Sequence, residues 1–231
     1  MSWGLTLRGL PPARRTFPLS RWRAITPDGR RVRHSEAMDA VSSKANLRRQ
    51  VRQQRQKRNA GTDESTRISR HIMDLEDVRS ACDRGEVVAC YLARDDEPPT
   101  RDVIDDVRRA GGRVVLPRIS DDNLVWVEMT DNTGMVTNTW GIDEPEGLPT
   151  STQPTVWIIP SLAVDADGYR LGQGGGFYDR TLAQRVSKDN SLVIAVNFED
   201  ESVMHVPHEA HDQRVDVVVT PERVRLLSMP D

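Results

Sequence analysis

The chain has 231 residues, of which 37% are hydrophobic and 29% are charged, and its formal net charge at pH 7 is −3. This length is enough for a full hydrophobic core, and the composition is typical of a globular protein with one domain. The slightly acidic balance does not favour a nucleic acid or a membrane surface as partner, and no apolar run approaches the ~18 to 20 residues of a membrane helix. Cys82 and Cys90 lack metal-ligand spacing, so we interpret them as reduced, packed thiols of a cytoplasmic protein.

The first 37 residues carry eight arginines but only two acidic residues, Asp28 and Glu36, and show no sustained hydrophobic period. Such a segment buries too little apolar surface to offset its ordering entropy. We therefore expect residues 1–37 to be a disordered or mis-annotated N-terminal extension and residues 38–231 to form the domain. Arginine-rich composition is also typical of transit peptides, but serine is scarce, and we favour the first two interpretations over targeting.

A strongly basic helix is predicted over residues 43–59, which are rich in good helix formers and begin with Ser43 as a plausible N-cap. Like charges at helical spacing destabilise an isolated helix, so a pure stripe of cations favours a polyanionic partner such as phosphate groups or RNA. The alternative is a solvated face. Four cations share one face of this helix: Lys44, Arg48, Arg52 and Arg55.

The rest of the chain alternates between helix-like and strand-like patterns. Strand, helix and strand in succession imply parallel pairs joined by right-handed crossovers. We therefore predict an α/β fold in one domain, with three layers: an open, mostly parallel mixed sheet with helices on both faces. Residues 131–154 are rich in Pro, Gly, Asp and Thr and predict a long irregular loop of the kind that is often functional. The predicted helices are 65–82, 101–110 and 177–186, and the predicted strands are 87–93, 114–116, 124–128, 156–160, 192–196 and 215–219.

A glycine-rich loop lies between a predicted strand and a predicted helix. Four glycines fall within five positions, at Gly172, Gly174, Gly175 and Gly176. Residues without a Cβ atom can adopt φ > 0 and let a ligand approach the backbone, while the helix N-terminus offers unpaired N–H groups to an anion. We interpret the loop as a phosphate cradle rather than as a flexible turn. It is not a Walker A loop, and its glycine spacing is not that of a dinucleotide fingerprint.

Acidic residues and histidines follow the predicted strands. Connections after the strands of an open α/β sheet face one crevice, which would then contain Glu97, the glycine loop and residues 205–212. The three histidines of that last segment could form a transition-metal site, but Pro207 prevents a regular helix from aligning them. A carboxylate of this segment, with Asp179 as the second, better suits Mg²⁺, which binds through one or two carboxylates, waters and substrate phosphates. Asp179 could instead complement the helix dipole.

These motifs resemble the signature of the 5-formyltetrahydrofolate cyclo-ligase family, also called methenyltetrahydrofolate synthetases. Residues 160–180, which end in Leu-Gly-Gln-Gly-Gly-Gly-Phe-Tyr-Asp-Arg, carry most of the resemblance, and shorter matches extend it over residues 44–220. The shorter matches are at residues 44–48, 97–100, 116–118, 140–142, 211–212 and 215–216. The resemblance implies ATP- and Mg²⁺-dependent closure of 5-formyltetrahydrofolate to 5,10-methenyltetrahydrofolate, with release of ADP and phosphate. The formyl oxygen would attack the γ-phosphorus, and N10 would then close onto the activated carbon as phosphate leaves.

The resemblance also implies roles for individual residues. Those implied for ATP are Lys44, Arg48, Arg170, Leu171, Gly172, Gln173, Gly174, Gly175, Gly176, Phe177 and Tyr178. Those implied for the folate are Leu92, Glu97, Trp140 and Tyr178, with Glu97 paired to the pterin and the two aromatic rings stacked on flat folate rings. Arg170, Tyr178 and Asp179 would be catalytic, and Asp179 and Asp212 would hold Mg²⁺. Phe177 stands where the family often has tyrosine, and Gln173 and Gly175 where some members have a basic residue.

Two other classes of function stay open. One is an RNA- or nucleotide-binding module that uses the basic helix, although the acidic stretches 95–97 and 199–201 argue against it. The other is a sugar-phosphate isomerase-like enzyme, which would use the loop for phosphate but need no ATP. We expect small-molecule substrates, no nucleic-acid or membrane partner, a cytoplasmic location and a monomer.

Overall fold

The computed structural model describes residues 44–58, 61, 63–185 and 191–227. The helices of this part are α1 (Lys44–Gln56), α2 (Glu64–Met73), α3 (Glu76–Asp83), α4 (Arg101–Arg109) and α5 (Phe177–Ala183), with a 3₁₀ turn at Glu199–Glu201. The strands are β1 (Val87–Ala89), β2 (Arg113–Ser120), β3 (Asn123–Glu128), β4 (Met135–Thr137), β5 (Asp143–Pro145), β6 (Val156–Pro160), β7 (Ala163–Val164), β8 (Arg170–Leu171), β9 (Leu192–Val196), β10 (Val217–Val219) and β11 (Val224–Leu226). The predictions for residues 1–37 and for the cap Ser43 fall outside the described residues.

Seven strands form one sheet in the order β11-β10-β9-β6-β1-β2-β3. The five central strands pair in parallel, whereas β3 and β11 run antiparallel at the two edges. Val88 of β1 is in register with Val114 on one side and Val156 on the other. The parallel strands are continuous apolar runs because both faces of this sheet are covered. This mixed, mostly parallel sheet in a single domain confirms the predicted fold class.

Two clusters of buried side chains lie on the two faces of the sheet. On one face, Ile68 of α2 and Ile104 of α4 pack with Ile158 and the strand residues that share its side. On the other face, Leu182 of α5 packs with Trp157, whose ring meets that of Trp126 edge to face at 5.4 Å between centroids. The sheet is therefore the middle of three layers. A smaller cluster joins α1 to the β7–β8 hairpin through Val51, Leu162 and Leu171.

The strand order reverses between β1 and β6. From β1 the chain moves outward to β2 and β3, and it later returns to place β6 on the other side of β1. The connections that follow β1 and β6 therefore leave the sheet in opposite directions. In open α/β sheets such a switch point opens a crevice at the carboxyl ends of the strands.

The strand predicted over 87–93 ends at Ala89, and two other predicted elements were wrong in part. The helix predicted over 65–82 is two helices, α2 and α3, because Leu75 between them has extended backbone angles (φ −72°, ψ 125°). Leu75 stays buried, so two helices at an angle satisfy the same hydrophobic period. The loop predicted over 131–154 contains the β4–β5 hairpin. All three residues of β4 are exposed, so no apolar alternation marked this strand in the sequence.

Among the helices of the described ranges, none combines the length and apolar content that a membrane crossing requires.

Candidate active site

A pocket of about 620 Å³ lies at the carboxyl ends of β1 and β6, at the switch point of the sheet. Helix α1, the connection after β1, strands β2 and β5, the glycine loop and residues 209–212 all contribute to its walls. The sequence-predicted residues that line it are Lys44, Arg48, Leu92, Glu97, Arg170, Leu171, Gly172, Gln173, Gly174, Gly175, Gly176, Phe177, Tyr178, Asp179 and Asp212. Trp140 is not among the lining residues. It lies between β4 and β5, and the residue is 65% exposed.

The glycine loop is pressed against α1. Gly174 has φ 113°, a backbone conformation that L side chains rarely adopt, and a Cβ atom on Gly172 would lie 2.9 Å from Nη1 of Arg170. Arg48 donates from Nε to the carbonyl of Gly172 at 2.8 Å. Arg52 donates from Nη2 to the carbonyl of Gln173 at 3.0 Å and to its Oε1 at 2.7 Å. The cationic stripe of the basic helix therefore faces the loop.

Arg170 is a buried cation with unused hydrogen-bond donors. Its side chain is 3% exposed, and Nη2 lies 3.0 Å from Oδ1 of Asp179. Nε and Nη2 nevertheless have no hydrogen-bond partner within the described residues. Buried polar groups without a partner are uncommon, because desolvation is uncompensated. These two N–H groups are suited to an anion that enters the pocket.

Lys44 and Asp212 form a second ion pair beside the loop, with Nζ 2.5 Å from Oδ2. Burial alone would raise the pKa of Asp212, but the hydrogen bond from Lys44 and a second one from the amide of Glu209 lower that pKa overall. The pair joins the first turn of α1 to the loop that precedes β10. Lys44, Arg48, Arg52 and Arg170 make up what we call the cationic group of the pocket.

Acidic side chains line another part of the pocket wall. Glu97 is 8% exposed at its side chain, and burial raises the pKa of its carboxyl group. Thr100, the residue before α4, donates to the carbonyl of Tyr91 at 2.6 Å and holds the chain after β1 in place. Glu144 of β5 accepts a hydrogen bond from the amide of Ile119 at 2.9 Å. Glu97, Glu144 and the neighbouring Asp143 form the acidic group of the pocket.

Tyr178 interacts with both groups. The guanidinium carbon of Arg170 lies 5.8 Å from the centre of its ring. Burial raises the pKa of Tyr178 well above the usual value, and the charge of Glu97 adds to that shift. The phenol therefore stays protonated at neutral pH and can act only as a hydrogen-bond donor or a neutral acceptor.

The two carboxylates predicted for Mg²⁺ both lie at the pocket. Oδ1 of Asp179 accepts from the amide of Gln213 at 3.0 Å, and the second oxygen of each carboxylate is free of hydrogen bonds within the described residues. No group of three or more His, Cys, Asp or Glu residues in this part of the chain is arranged to hold a metal ion. His208 instead stacks on Tyr169, with centroids 3.5 Å apart. The donor set fits Mg²⁺ that enters with a phosphate, because that ion needs only one or two carboxylates from the protein.

Sequence reasoning missed several wall residues and misassigned one cation. Tyr91, Ile119 and Glu144 line the pocket. Of these three, only Glu144 had a signal in the sequence, which is its position close to Trp140. Arg55 was placed on the ligand-binding stripe. In the structure its side chain is buried in an ion pair with Glu201 and does not line the pocket.

Comparison with known proteins gives one consistent family. A family model described as the 5-formyltetrahydrofolate cyclo-ligase family matches residues 40–221. The 5-formyltetrahydrofolate cyclo-ligase of Mycolicibacterium smegmatis is 36% identical over 149 residues, which cover 60% of this chain and 75% of that protein. The enzyme of the same name from Escherichia coli strain K12 is 37% identical over 145 residues, covering 59% and 79%. The NMR structure of 5,10-methenyltetrahydrofolate synthetase from Aquifex aeolicus matches with a TM-score of 0.60 at 26% identity, over 81% of this chain and 94% of that one.

Proposed function

The chain belongs to the 5-formyltetrahydrofolate cyclo-ligase family, and from this premise we propose that it uses ATP and Mg²⁺ to close 5-formyltetrahydrofolate to 5,10-methenyltetrahydrofolate. Membership makes it an enzyme of folate metabolism that acts on small molecules. The pocket supports the finer proposal, because one cavity contains both a cationic group and an acidic group. The observation that carries it is Arg170, a buried guanidinium beside the glycine loop whose Nε and Nη2 have no hydrogen-bond partner in the part of the chain that the structure describes.

We propose that the cationic group binds the phosphates of ATP. Lys44 and Arg48 lie on the face of α1 that meets the loop, and the loop backbone at 171–178 supplies N–H groups next to the N-terminus of α5. Gln173 takes the place of a basic residue found in some relatives of this family. Arg52 contacts Gln173 directly and supplies a positive charge at the same point.

Asp179 and Asp212 would hold Mg²⁺, each through the oxygen that is free of hydrogen bonds. The ion would supply positive charge that offsets the charge on the β- and γ-phosphate oxygens. The positive charge of the ion on these oxygens would weaken the ion pairs that the other oxygens of the same carboxylates form with Arg170 and Lys44. The two cations would then be released toward the phosphates.

The acidic group would bind the folate. Glu97 is buried, and a partner with two N–H donors, such as the guanidine-like edge of a pterin, would compensate the desolvation that raises the pKa of this carboxyl group. Leu92 and Tyr178 would supply apolar and aromatic surface on either side of the ring system. Trp140 is exposed, and Ile142, two residues later, lines the pocket. A movement of the β4–β5 hairpin toward the pocket would bring the indole over the folate.

In the proposed reaction the formyl oxygen attacks the γ-phosphorus, and the P–O bond to ADP breaks. N10 then attacks the activated carbon and loses its proton to the departing phosphate, and the C–O bond between that carbon and the phosphate breaks as the five-membered ring closes. Arg170 and the loop amides stabilise the transferring phosphoryl group, and the protonated Tyr178 donates to an oxygen that gains charge. The main contributions of the protein are alignment of the two substrates and neutralisation of charge.

The assay is the near-ultraviolet absorbance of the methenyl product in the presence of ATP, Mg²⁺ and 5-formyltetrahydrofolate. We expect the absorbance to rise only when all three are present, with one ADP formed for each product. Folded protein that gives no product overturns the proposal. The same assay without ATP separates it from a sugar-phosphate isomerase-like function. We also propose a monomeric, cytoplasmic enzyme without a nucleic-acid partner, which size-exclusion chromatography and RNA titration would test.

A further inference from the structure

Arg55 differs from the other cations on its face of α1. Its side chain and that of Glu201 are each 2% exposed. Nε donates to Oε1 of Glu201 at 2.5 Å, and Nη2 donates to Oε2 at 2.9 Å. Burial alone would lower the pKa of Arg55, but its hydrogen bonds to Glu201 and the charge of Glu201 raise that pKa, so the buried guanidinium keeps its charge.

The pair belongs to a buried network that joins α1 to the ends of two sheet strands. Arg55 donates from Nη2 to the carbonyl of Ser161, the residue after β6, at 2.7 Å. Glu201 accepts from the amide of Phe198 at 2.9 Å and from Nδ2 of Asn197, the residue after β9, at 3.2 Å. Ser161 also donates to Oδ1 of Asn197 at 2.6 Å. Ser161 is itself a wall residue of the pocket.

The network fixes the end of α1 that lies far from Lys44 and Arg48. Arg48 precedes Arg55 by two turns, or about 10 Å along the helix axis, and Lys44 precedes it by three turns, or about 16 Å. All three side chains therefore share one face of α1. A tilt of about 10° around Arg55 would therefore move the backbone at Arg48 by roughly 2 Å and at Lys44 by roughly 3 Å. Displacements of about 1 Å in a positioning element can cost about 100-fold in rate.

We infer that Arg55 and Glu201 are positioning residues for ATP, because they hold α1 at the angle that keeps Arg48 and Lys44 over the glycine loop. This inference rests on the proposed function. A buried ion pair by itself is weak evidence of net stability. The role inferred for this pair is therefore to orient α1 rather than to stabilise the fold. The apolar anchoring of α1 is small, since Val51 is its one buried hydrophobic side chain and Leu47 is only partly buried, so the orientation of the helix depends mainly on its polar contacts.

The test compares Arg55→Met with Val107→Ala, a control on the buried face of α4 that does not line the pocket. We expect Arg55→Met to raise the KM for ATP about 10-fold, with the KM for 5-formyltetrahydrofolate changed less than about twofold. Val107→Ala should lower the Tm and leave both KM values unchanged. Calorimetric titration with MgADP should show the same 10-fold weakening for Arg55→Met without relying on turnover.

Glu201→Gln is the conservative variant. Its amide oxygen can still accept from Arg55 and from Phe198, so the KM for ATP should rise less than about threefold. If Arg55→Met does not fold, Arg55→Lys takes its place, since it keeps the charge but cannot bond Ser161 and both oxygens of Glu201 with the same geometry. Unchanged ATP and ADP affinity in the arginine variant, with a Tm as low as that of Val107→Ala, would overturn the positioning role. Absence of cyclo-ligase activity in the wild type would instead refute the proposed function.

Discussion

Replacement of Arg170 by methionine tests the central assumption of the proposed ATP site. Methionine preserves most of the buried aliphatic volume and removes the guanidinium, whose Nε and Nη2 have no hydrogen-bond partner among the described residues. Hydrogen bonds to charged groups contribute about 1.5 to 3 kcal/mol each, so the loss of two such bonds to phosphate oxygens costs at least about 3 kcal/mol. At about 1.4 kcal/mol per factor of ten, kcat/KM for ATP should fall at least about 100-fold.

Arg170 also neutralises Asp179, with Nη2 3.0 Å from Oδ1, and this second effect needs its own variant. Rates of methenyl formation would be measured for Arg170→Met, Asp179→Asn and the double variant. If Arg170 binds phosphate, its loss costs about the same factor in both backgrounds. Recovery of activity in the double variant would refute the reasoning, because it would mean that the guanidinium serves only to balance a carboxylate. Arg113→Met is the control, since Arg113 pairs with Glu128 on the sheet edge, away from the pocket, and should change kcat/KM less than about twofold.

Three further variants test other parts of the site. Gly174→Ala forces a side chain into φ 113° and should raise the KM for ATP about 10-fold through about 1 to 2 kcal/mol of backbone strain, whereas Gly141→Ala, at φ 74° outside the pocket, should leave that KM unchanged. Burial raises the pKa of Glu97, so the contribution of its protonated form to the stability of the folded protein is complete below about pH 4 and is lost as pH rises through the folded-state pKa. Glu97→Gln should therefore have a higher Tm than wild type at pH 7.5 and the same Tm at pH 4. A Tm difference between the two proteins that is the same at both pH values would contradict this. Burial would raise the pKa of Asp212, but the hydrogen bond from Lys44 lowers it overall. The contribution of this ion pair to the stability of the folded protein is therefore present above about pH 4 and is lost as pH falls through the folded-state pKa. Asp212→Asn should lower the Tm at pH 7 and raise the Mg²⁺ concentration for half-maximal rate, and a Mg²⁺ titration that overlays wild type would exclude Asp212 as a ligand.

The sheet and the glycine loop could be predicted because their signals are local. Apolar runs such as 156–160 and 192–196 correspond to the observed strands β6 and β9. Gly174 and Gly176 have positive φ angles, which glycine adopts readily because it has no Cβ atom. The cluster of glycines therefore predicted a tight loop. The rule that ligands bind beyond the carboxyl ends of the strands then predicted which loops would meet.

Long-range pairing could not be predicted. Arg55 looks like Arg48 and Arg52 in the sequence, and only its contact with Glu201, 146 residues away, distinguishes its role. The exposed strand β4 lacks a hydrophobic pattern, so the hairpin that presents Glu144 to the pocket could not be recognised. The break at Leu75 was hidden because a buried leucine satisfies the helical period whether or not the helix continues.

The contacts of α1 also determine when the site can form during synthesis on the ribosome. Arg48, Arg55 and Lys44 contact residues 124, 146 and 168 positions later in the chain. Helix α1 leaves the ribosome before all of these partners, and its stripe of like charges disfavours a stable helix by itself. The phosphate-binding half of the pocket is therefore completed only after residue 212 has been translated. A nascent chain that stops before that point would carry the folate-facing segments but no complete nucleotide site.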